Sequence, residues 1–384
     1  MQRHDVIVVG VGGMGSAALY HLARRGARVL GLERFEIPHE LGSSHGESRI
    51  IRLAYAEDPR YVPLLRRAYE LWRQLESLAG ERLLVTTGGI DAGPEASETV
   101  QGSLRSCALH GLPHEQLDPA ELRRRFPALR LDSGMIGVYQ PEAGFLLPER
   151  CVVAHAAAAR ELGAEIHTGE RVRQWQVEDE CVVVTTDRRS YRAGRLVLTV
   201  GAWTGSLVPS LTDVAVPERQ VVIWARPRRP DLFRLGSFPI FNLEAPEGRF
   251  YGCPIHDIPG VKIGRYHHRF ERVDDLEHVN RAFDAEDEEV LRVGIRRYLP
   301  DADGPAIEMK TCLFTNSPDG HFLIDFLPGS RRVAIAAGFS GHGFKFCSVV
   351  GEVLAELVLE TAAGPDIEMF RLDRPAVRDR LDPL

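Results

Sequence analysis

Asp5-Val6-Ile7-Val8-Val9-Gly10-Val11-Gly12-Gly13-Met14-Gly15 lies near the start of the chain and decides its fold. The residues before Gly10 are mostly β-branched and bounded by glycine, the pattern of a buried strand. Residues 13–25 carry apolar side chains at helical spacing, and Gly26 follows as a helix stop. Residues 28–32 form a second buried strand ending at Glu33. Gly10-x-Gly12-x-x-Gly15 therefore falls between a strand and a helix, where a dinucleotide fingerprint has to lie. The first glycine permits the tight turn, the second lets a pyrophosphate approach the amides at the helix start, and the third allows close helix–sheet packing. Glu33, 23 residues after Gly10, is placed to accept hydrogen bonds from ribose hydroxyls. The fingerprint alone does not separate NAD from FAD.

Outward from this unit, apolar periodicity predicts helices over 61–78 and 148–162, with an irregular stretch from 83 to 145 between them that holds a helix at 119–126. Short strands follow at 165–168, 172–177, 181–186 and 196–200. Residues 216–315 read as β-rich with Pro/Gly turns, and the chain closes with a strand at 333–337, a glycine turn at 338–343 and a helix over 346–359. Strand–helix patterns at both ends predict an α/β + β fold: a Rossmann-like dinucleotide domain with an inserted β-rich substrate domain. The expected division gives 1–85, 145–215 and 320–384 to the first, and 86–144 and 216–319 to the second.

The 384 residues carry a net charge of −7 and no long basic block, which argues against nucleic acid or an anionic membrane as partner. No apolar run approaches the ~20 residues of a membrane span. Asp5 and the early glycines favour strand, turn and helix over a secretory leader, so a cytoplasmic protein is expected. The six cysteines form no CxxC pair, so neither a disulfide scaffold nor a metal site is expected. Of 47 basic residues only Lys262, Lys310 and Lys345 are lysine. In so arginine-biased a chain, a retained lysine marks a place where a compact, titratable ammonium is needed.

Two further segments carry chemistry. Gly42-Ser43-Ser44-His45-Gly46-Glu47-Ser48-Arg49-Ile50-Ile51-Arg52 groups a histidine and two arginines soon after Glu33. It reads either as a solvated loop or as the partner of an anionic ligand or an electron-rich ring. Gly338-Phe339-Ser340-Gly341-His342-Gly343-Phe344-Lys345-Phe346 reads either as a glycine turn ahead of a core helix or as backbone lying against a flat ligand, with Lys345 adding positive charge.

With these motifs in this order, the chain resembles the monomeric sarcosine oxidase and N-methyltryptophan oxidase family over essentially its whole length. The resemblance rests on 10–15, on 45–52, on Gly201-Ala202-Trp203, on Cys312 and on 338–346. It implies FAD, bound covalently through a thioether from Cys312. It implies a cofactor cradle of Gly10, Gly12, Gly13, Met14, Gly15, Glu33, Arg34, Ser43, Ser44, Arg49, Val172, Gly201, Trp203, Cys312, Gly338, Gly341, His342, Gly343, Phe344 and Lys345. Arg52 and Lys345 would clamp the substrate carboxylate, His45 and Arg49 would lie against the flavin, and Tyr251 would belong to the substrate site. Lys262 would favour oxygen reduction; Lys310 receives no role. Arg52 is expected to matter for binding more than for folding.

The implied activity is oxidation of a secondary amino acid by O2, in a monomer, with sarcosine as the leading substrate. The chain departs from the family at Phe314, where a tyrosine can stand. It departs again in Arg265-Tyr266-His267-His268, where the position of a family histidine is ambiguous by one residue. N-methyltryptophan, pipecolate and sugar-adduct amino acids stay open as substrates. So do an NAD(P)-dependent dehydrogenase and a non-catalytic dinucleotide-binding subunit as different classes of protein.

Overall fold

The computed structural model describes residues 3–361 and 366–381. Arg3–Val9 runs parallel to Val29–Leu32 on one side and to Ser190–Leu198 on the other, with Val9 level with both Leu32 and Leu198. Glu165–His167 extends this sheet beyond Val29–Leu32, and Val333–Ala337 joins in parallel beside Ser190–Leu198. The antiparallel strands Val172–Glu178, Cys181–Thr186 and Leu323–Phe326 complete eight. Buried valine, isoleucine and leucine fill both of its faces, as parallel strands covered on both sides require.

A second eight-stranded sheet is mainly antiparallel. It runs in the order Ala306–Asn316, Val216–Ala225, Val261–Arg265, Gly248–Cys253, Ile240–Ala245, Gly89–Pro94, Met135–Gln140 and Glu115–Leu117. Its strands come from 89–140 and 216–316, while those of the first sheet come from 3–32, 165–198 and 323–337. A small three-stranded sheet, Arg49–Ile51, Gly144–Leu146 and Leu84–Thr86, adds a third layer.

The glycines of the opening turn do what close approach demands. Gly10 has φ +85°, and a Cβ there would stand 2.6 Å from the Thr199 carbonyl oxygen. A Cβ on Gly15 would fall 1.8 Å from the Gly10 carbonyl oxygen, so alanine would push the helix Gly13–Arg24 off its sheet.

Among the described residues, two helices of three turns or more escape the sequence reading. The irregular stretch contains the helix Glu98–His110, whose buried face sets Thr99, Gly102, Ser103 and Ser106 among only two apolar side chains, Val100 and Cys107. Those serines donate to Asp91 Oδ2 (2.7 Å) and to the Tyr55 carbonyl (2.6 Å), so the helix buries polar contacts and shows little of the usual apolar periodicity. Within the β-rich region lies Ala285–Tyr298, started by a capping box of Asp284 and Asp287. The strand predicted at 196–200 instead spans Ser190–Leu198 and stops before the 3₁₀ turn Gly201–Trp203.

Candidate functional site

One cavity of about 390 Å³ extends from the opening glycine turn to the second sheet. Gly10, Gly12, Gly13 and Met14 line it, together with Glu33, Arg34, Val172, Gly201 and Trp203. Ser43, Ser44, His45, Arg49 and Arg52 enter from the loop at 42–52, and Tyr251, Lys262 and Cys312 from the second sheet. Gly338, Gly341, His342, Gly343, Phe344 and Lys345 close it. Of the expected residues only Gly15 is absent from the wall, because it acts behind the turn by letting helix meet strand.

At the turn, the Gly13 amide donates to Ser44 Oγ (3.0 Å), which ties the loop to the helix start. Glu33 is 5% exposed and already accepts from the amides of Val11 (2.8 Å) and Phe35 (3.0 Å). Burial raises its carboxyl above the usual range, against the pull of those amides. Arg34 lies over the rings of Phe35 and Trp203 and is held by Glu277. The buried Nε1 of Trp203 has no partner among the described residues.

Midway, Arg49 Nη2 donates to the Ser43 carbonyl (2.9 Å) and lies 3.5 Å from Cys312 Sγ. Lys262 is buried and gives its three protons to Gly46 O (2.6 Å), Ser48 O (2.7 Å) and Ser48 Oγ (3.2 Å). Burial, with Arg49 behind it, brings its ammonium down to about 8. His45 is 1% exposed, and neither ring nitrogen has a partner among the described residues. Burial and the adjacent Arg49 bring it down to about 3, so the ring is neutral at physiological pH. A buried imidazole with two idle nitrogens on a cavity wall suits a ligand that brings its own hydrogen-bonding edge.

The inner end carries the strongest charges. Arg52 donates from Nε to Asp91 Oδ1 (3.1 Å) and from Nη2 to Glu57 Oε2 (3.2 Å). Asp91 is fully buried and also accepts from Asn242 (2.7 Å), Gln140 (3.1 Å) and Ser103 (2.7 Å). Glu57 also receives Arg249 Nη2 (2.9 Å). Burial opposes its charge, yet Arg52 and Arg249 together hold its carboxyl well below the usual range. Lys345 donates to the His342 carbonyl (2.7 Å), and burial followed by Arg52 brings its ammonium down to about 7. Of these charged groups Arg52 and Lys345 line the cavity, with Asp91, Glu57 and Arg249 off its wall, so an incoming anion meets two cations.

This network adds a structural role to the binding role expected of Arg52. Its guanidinium is the partner of a fully buried carboxylate, so it supports the fold as well. The glycines at 338–346 line the cavity and also serve the protein's own packing. The space beside Gly341 is taken by the Phe314 ring (2.4 Å from a built Cβ) and that beside Gly343 by Phe339 (2.5 Å). The glycines make room for the protein's own rings, and Phe314 and Phe339 in turn line the cavity. His342 is also committed, accepting from Tyr55 Oη at Nδ1 (2.6 Å) and donating from Nε2 to Gly320 O (2.9 Å).

The ambiguous stretch resolves onto neither histidine. His267 pairs with Glu218 and His268 with Asp287, both off the cavity wall, while Tyr266 lines it against Tyr251 (5.2 Å between rings). Glu57, Asp91, Asn242, Arg249 and Tyr266 escaped the sequence reading, since no spacing links residues that only tertiary structure joins. Cys253 and Cys347 line the cavity along with Cys312. Burial raises the thiols of Cys253 and Cys347. Among the described residues no cluster offers a metal three ligands, and no helix is long and apolar enough to cross a membrane.

Comparison with known proteins adds the family context. The FAD dependent oxidoreductase family matches residues 5–357. The chain is 44% identical over 375 residues to a monomeric sarcosine oxidase of Streptomyces avermitilis, covering 96% of each. It is 35% identical to an N-methyl-L-tryptophan oxidase of Yersinia pestis, covering 97% of the chain and 99% of the relative. Its fold superposes with a TM-score of 0.83 on NikD, described as an unusual amino acid oxidase essential for nikkomycin biosynthesis, at 26% identity over 97% of the chain and 98% of that structure.

Proposed function

The chain belongs to the FAD dependent oxidoreductase family, and from that premise we propose an oxidase of N-methyl amino acids with sarcosine as leading substrate. The net reaction is sarcosine, O2 and water to glycine, formaldehyde and hydrogen peroxide. One observation carries the reading: a single cavity joins the dinucleotide turn to an inner end walled by the cations Arg52 and Lys345. FAD suits the residues present, because the idle nitrogens of His45 and Trp203 and the stem at Gly10–Met14 match a long cofactor with polar edges. In our proposal the cofactor-holding parts are 1–85, 145–215 and 320–384, with 86–144 and 216–319 forming the substrate side.

Bound FAD supplies the acceptor for the hydride equivalent next to nitrogen and the electrons that reduce O2. Everything else falls to the chain. Arg52 and Lys345 bind the substrate carboxylate by charge-assisted hydrogen bonds and fix where the N-methyl group lies. Tyr251 and Tyr266, whose phenols burial keeps protonated, wall the substrate and exclude water. Lys262 is locked by three acceptors, so its positive charge stays fixed where oxygen reduction builds negative charge. Cys312 holds the cofactor by a thioether, with Arg49 beside its sulfur.

The test is a peroxide assay of the purified holoprotein against a panel of secondary amino acids. Peroxide from sarcosine, with N-methyltryptophan weaker, supports the proposal; a flavin-loaded protein that oxidises none of them overturns it. The relative from Yersinia keeps N-methyltryptophan as the second reading. An NAD(P)-dependent dehydrogenase falls with the family assignment.

A further inference from the structure

Asn242 lies on the strand Ile240–Ala245, opposite Asp91 of Gly89–Pro94 on one side and opposite Tyr251 of Gly248–Cys253 on the other. Residues paired in register share a face of their sheet, so Asp91, Asn242 and Tyr251 stand in one row. Asn242 and Tyr251 line the cavity, and Asp91 lies off its wall. The Tyr251 ring leans over Gly264 on the next strand, where a built Cβ would stand 2.4 Å from it. The ring therefore tilts away from Asn242 and leaves that side of its amide uncovered.

Asp91 sets which way the amide faces. A carboxylate only accepts, so the atom that meets Asp91 Oδ1 (2.7 Å) is Nδ2. Arg52 Nε donates to the same oxygen (3.1 Å), which puts the Asn242 amide beside the guanidinium of the carboxylate clamp. Asn242 Oδ1 takes no donor among the described residues, and with Nδ2 turned to Asp91 it is the amide atom left for the cavity. An idle acceptor on a buried wall suits a ligand that brings a donor to it.

In an N-methyl amino acid the amine is bonded to the carbon that carries the carboxylate, so it is the donor nearest the clamp. The neutrality of the acceptor matters here. A carboxylate at this place would favour the ammonium, which has no lone pair to assist C–H cleavage. An amide oxygen takes the N–H without adding negative charge, while Arg52 and Lys345 oppose a third cation beside them. Resting on the N-methyl amino acid reading above, we infer that Asn242 is a substrate-binding residue that accepts the amine N–H at Oδ1. Asp91 is the positioning residue that holds the amide in that orientation.

The experiment titrates the holoprotein with two flat carboxylates of one shape and follows the flavin absorbance. Pyrrole-2-carboxylate has an N–H next to the carbon that bears the carboxylate, and furan-2-carboxylate has an oxygen there. The parent should bind the pyrrole about tenfold or more tightly than the furan, and Asn242→Leu should bring the ratio toward one. A defect in folding alone would weaken both ligands and keep the ratio. A ratio near one in the parent, a ratio that survives Asn242→Leu, or a parent that fails to bind the pyrrole overturns the inference. If the parent oxidises sarcosine in those cases, the oxidase reading stands; if it oxidises no secondary amino acid, both fall. Should Asn242→Leu not fold, Asn242→Ser carries the same expectation, since its hydroxyl still donates to Asp91 but offers no amide oxygen.

Discussion

Arg52 and Lys345 offer matched substitutions that separate binding from folding. Arg52→Met removes the partner of Asp91, a carboxylate with no exposure, while Glu57 keeps Arg249. Breaking a buried pair from one side costs about 3–5 kcal/mol, and the neutral donors Asn242, Gln140 and Ser103 hold the loss toward the lower figure. For a chain of this size that is on the order of 5 °C in melting temperature. Lys345→Met removes an ammonium that burial already disfavours, and with it one hydrogen bond to the His342 carbonyl. Its stability should change by about 1 kcal/mol or less. Both variants lose one arm of the carboxylate clamp, so both should weaken a carboxylate ligand by ~2–5 kcal/mol, roughly 30-fold or more. The assay pairs a thermal melt with titration of methylthioacetate, the thioether isostere of sarcosine, followed by flavin absorbance. An Arg52→Met protein as stable as the parent would refute the reasoning about Asp91. Unchanged ligand affinity in Lys345→Met would refute the clamp.

Other outcomes follow from the same geometry. Acid precipitation should leave the yellow colour in the pellet, and Cys312→Ser should move it to the supernatant. A colour that stays with Cys312→Ser would point to Cys253 or Cys347, which share the cavity wall. Lys262→Met should slow flavin reoxidation on the order of 100-fold, the effect of removing a unit charge about 5 Å away at an effective dielectric of about 20. Stopped-flow should find anaerobic reduction much less affected, and equal slowing of both half-reactions would count against that role. Methylthioacetate, which has no amine to titrate, should bind with proton uptake. Lys345 is down at about 7 among Arg52, Arg249, Glu57, Asp91, Tyr55 and His342, so it must be charged to hold the carboxylate. Affinity should therefore fall as pH rises above about 7, and a flat profile from pH 6 to 9 would contradict this.

Much of the site was legible because backbone sterics and rare residues leave marks in one dimension. Gly10 and Gly15 are required by contacts their own neighbourhood fixes, and Lys262 and Lys345 stand out in a chain that otherwise uses arginine. Asp91, Glu57 and Arg249 left no such mark, since their meaning lies in being brought together from three segments. The helix Glu98–His110 hid for a related reason. Its buried face is largely small and polar because Ser103 and Ser106 serve Asp91 and the Tyr55 carbonyl, so the apolar periodicity that announces an amphipathic helix is weak. The family pattern also pointed at a histidine near 267, whereas the side chain on the cavity wall is Tyr266.

Anaerobic mixing with sarcosine tests the central claim most directly. The purified yellow protein should lose its flavin absorbance on addition of sarcosine and regain it in air, with one hydrogen peroxide and one formaldehyde formed per sarcosine consumed. A protein that carries FAD but is bleached by no secondary amino acid would contradict the account.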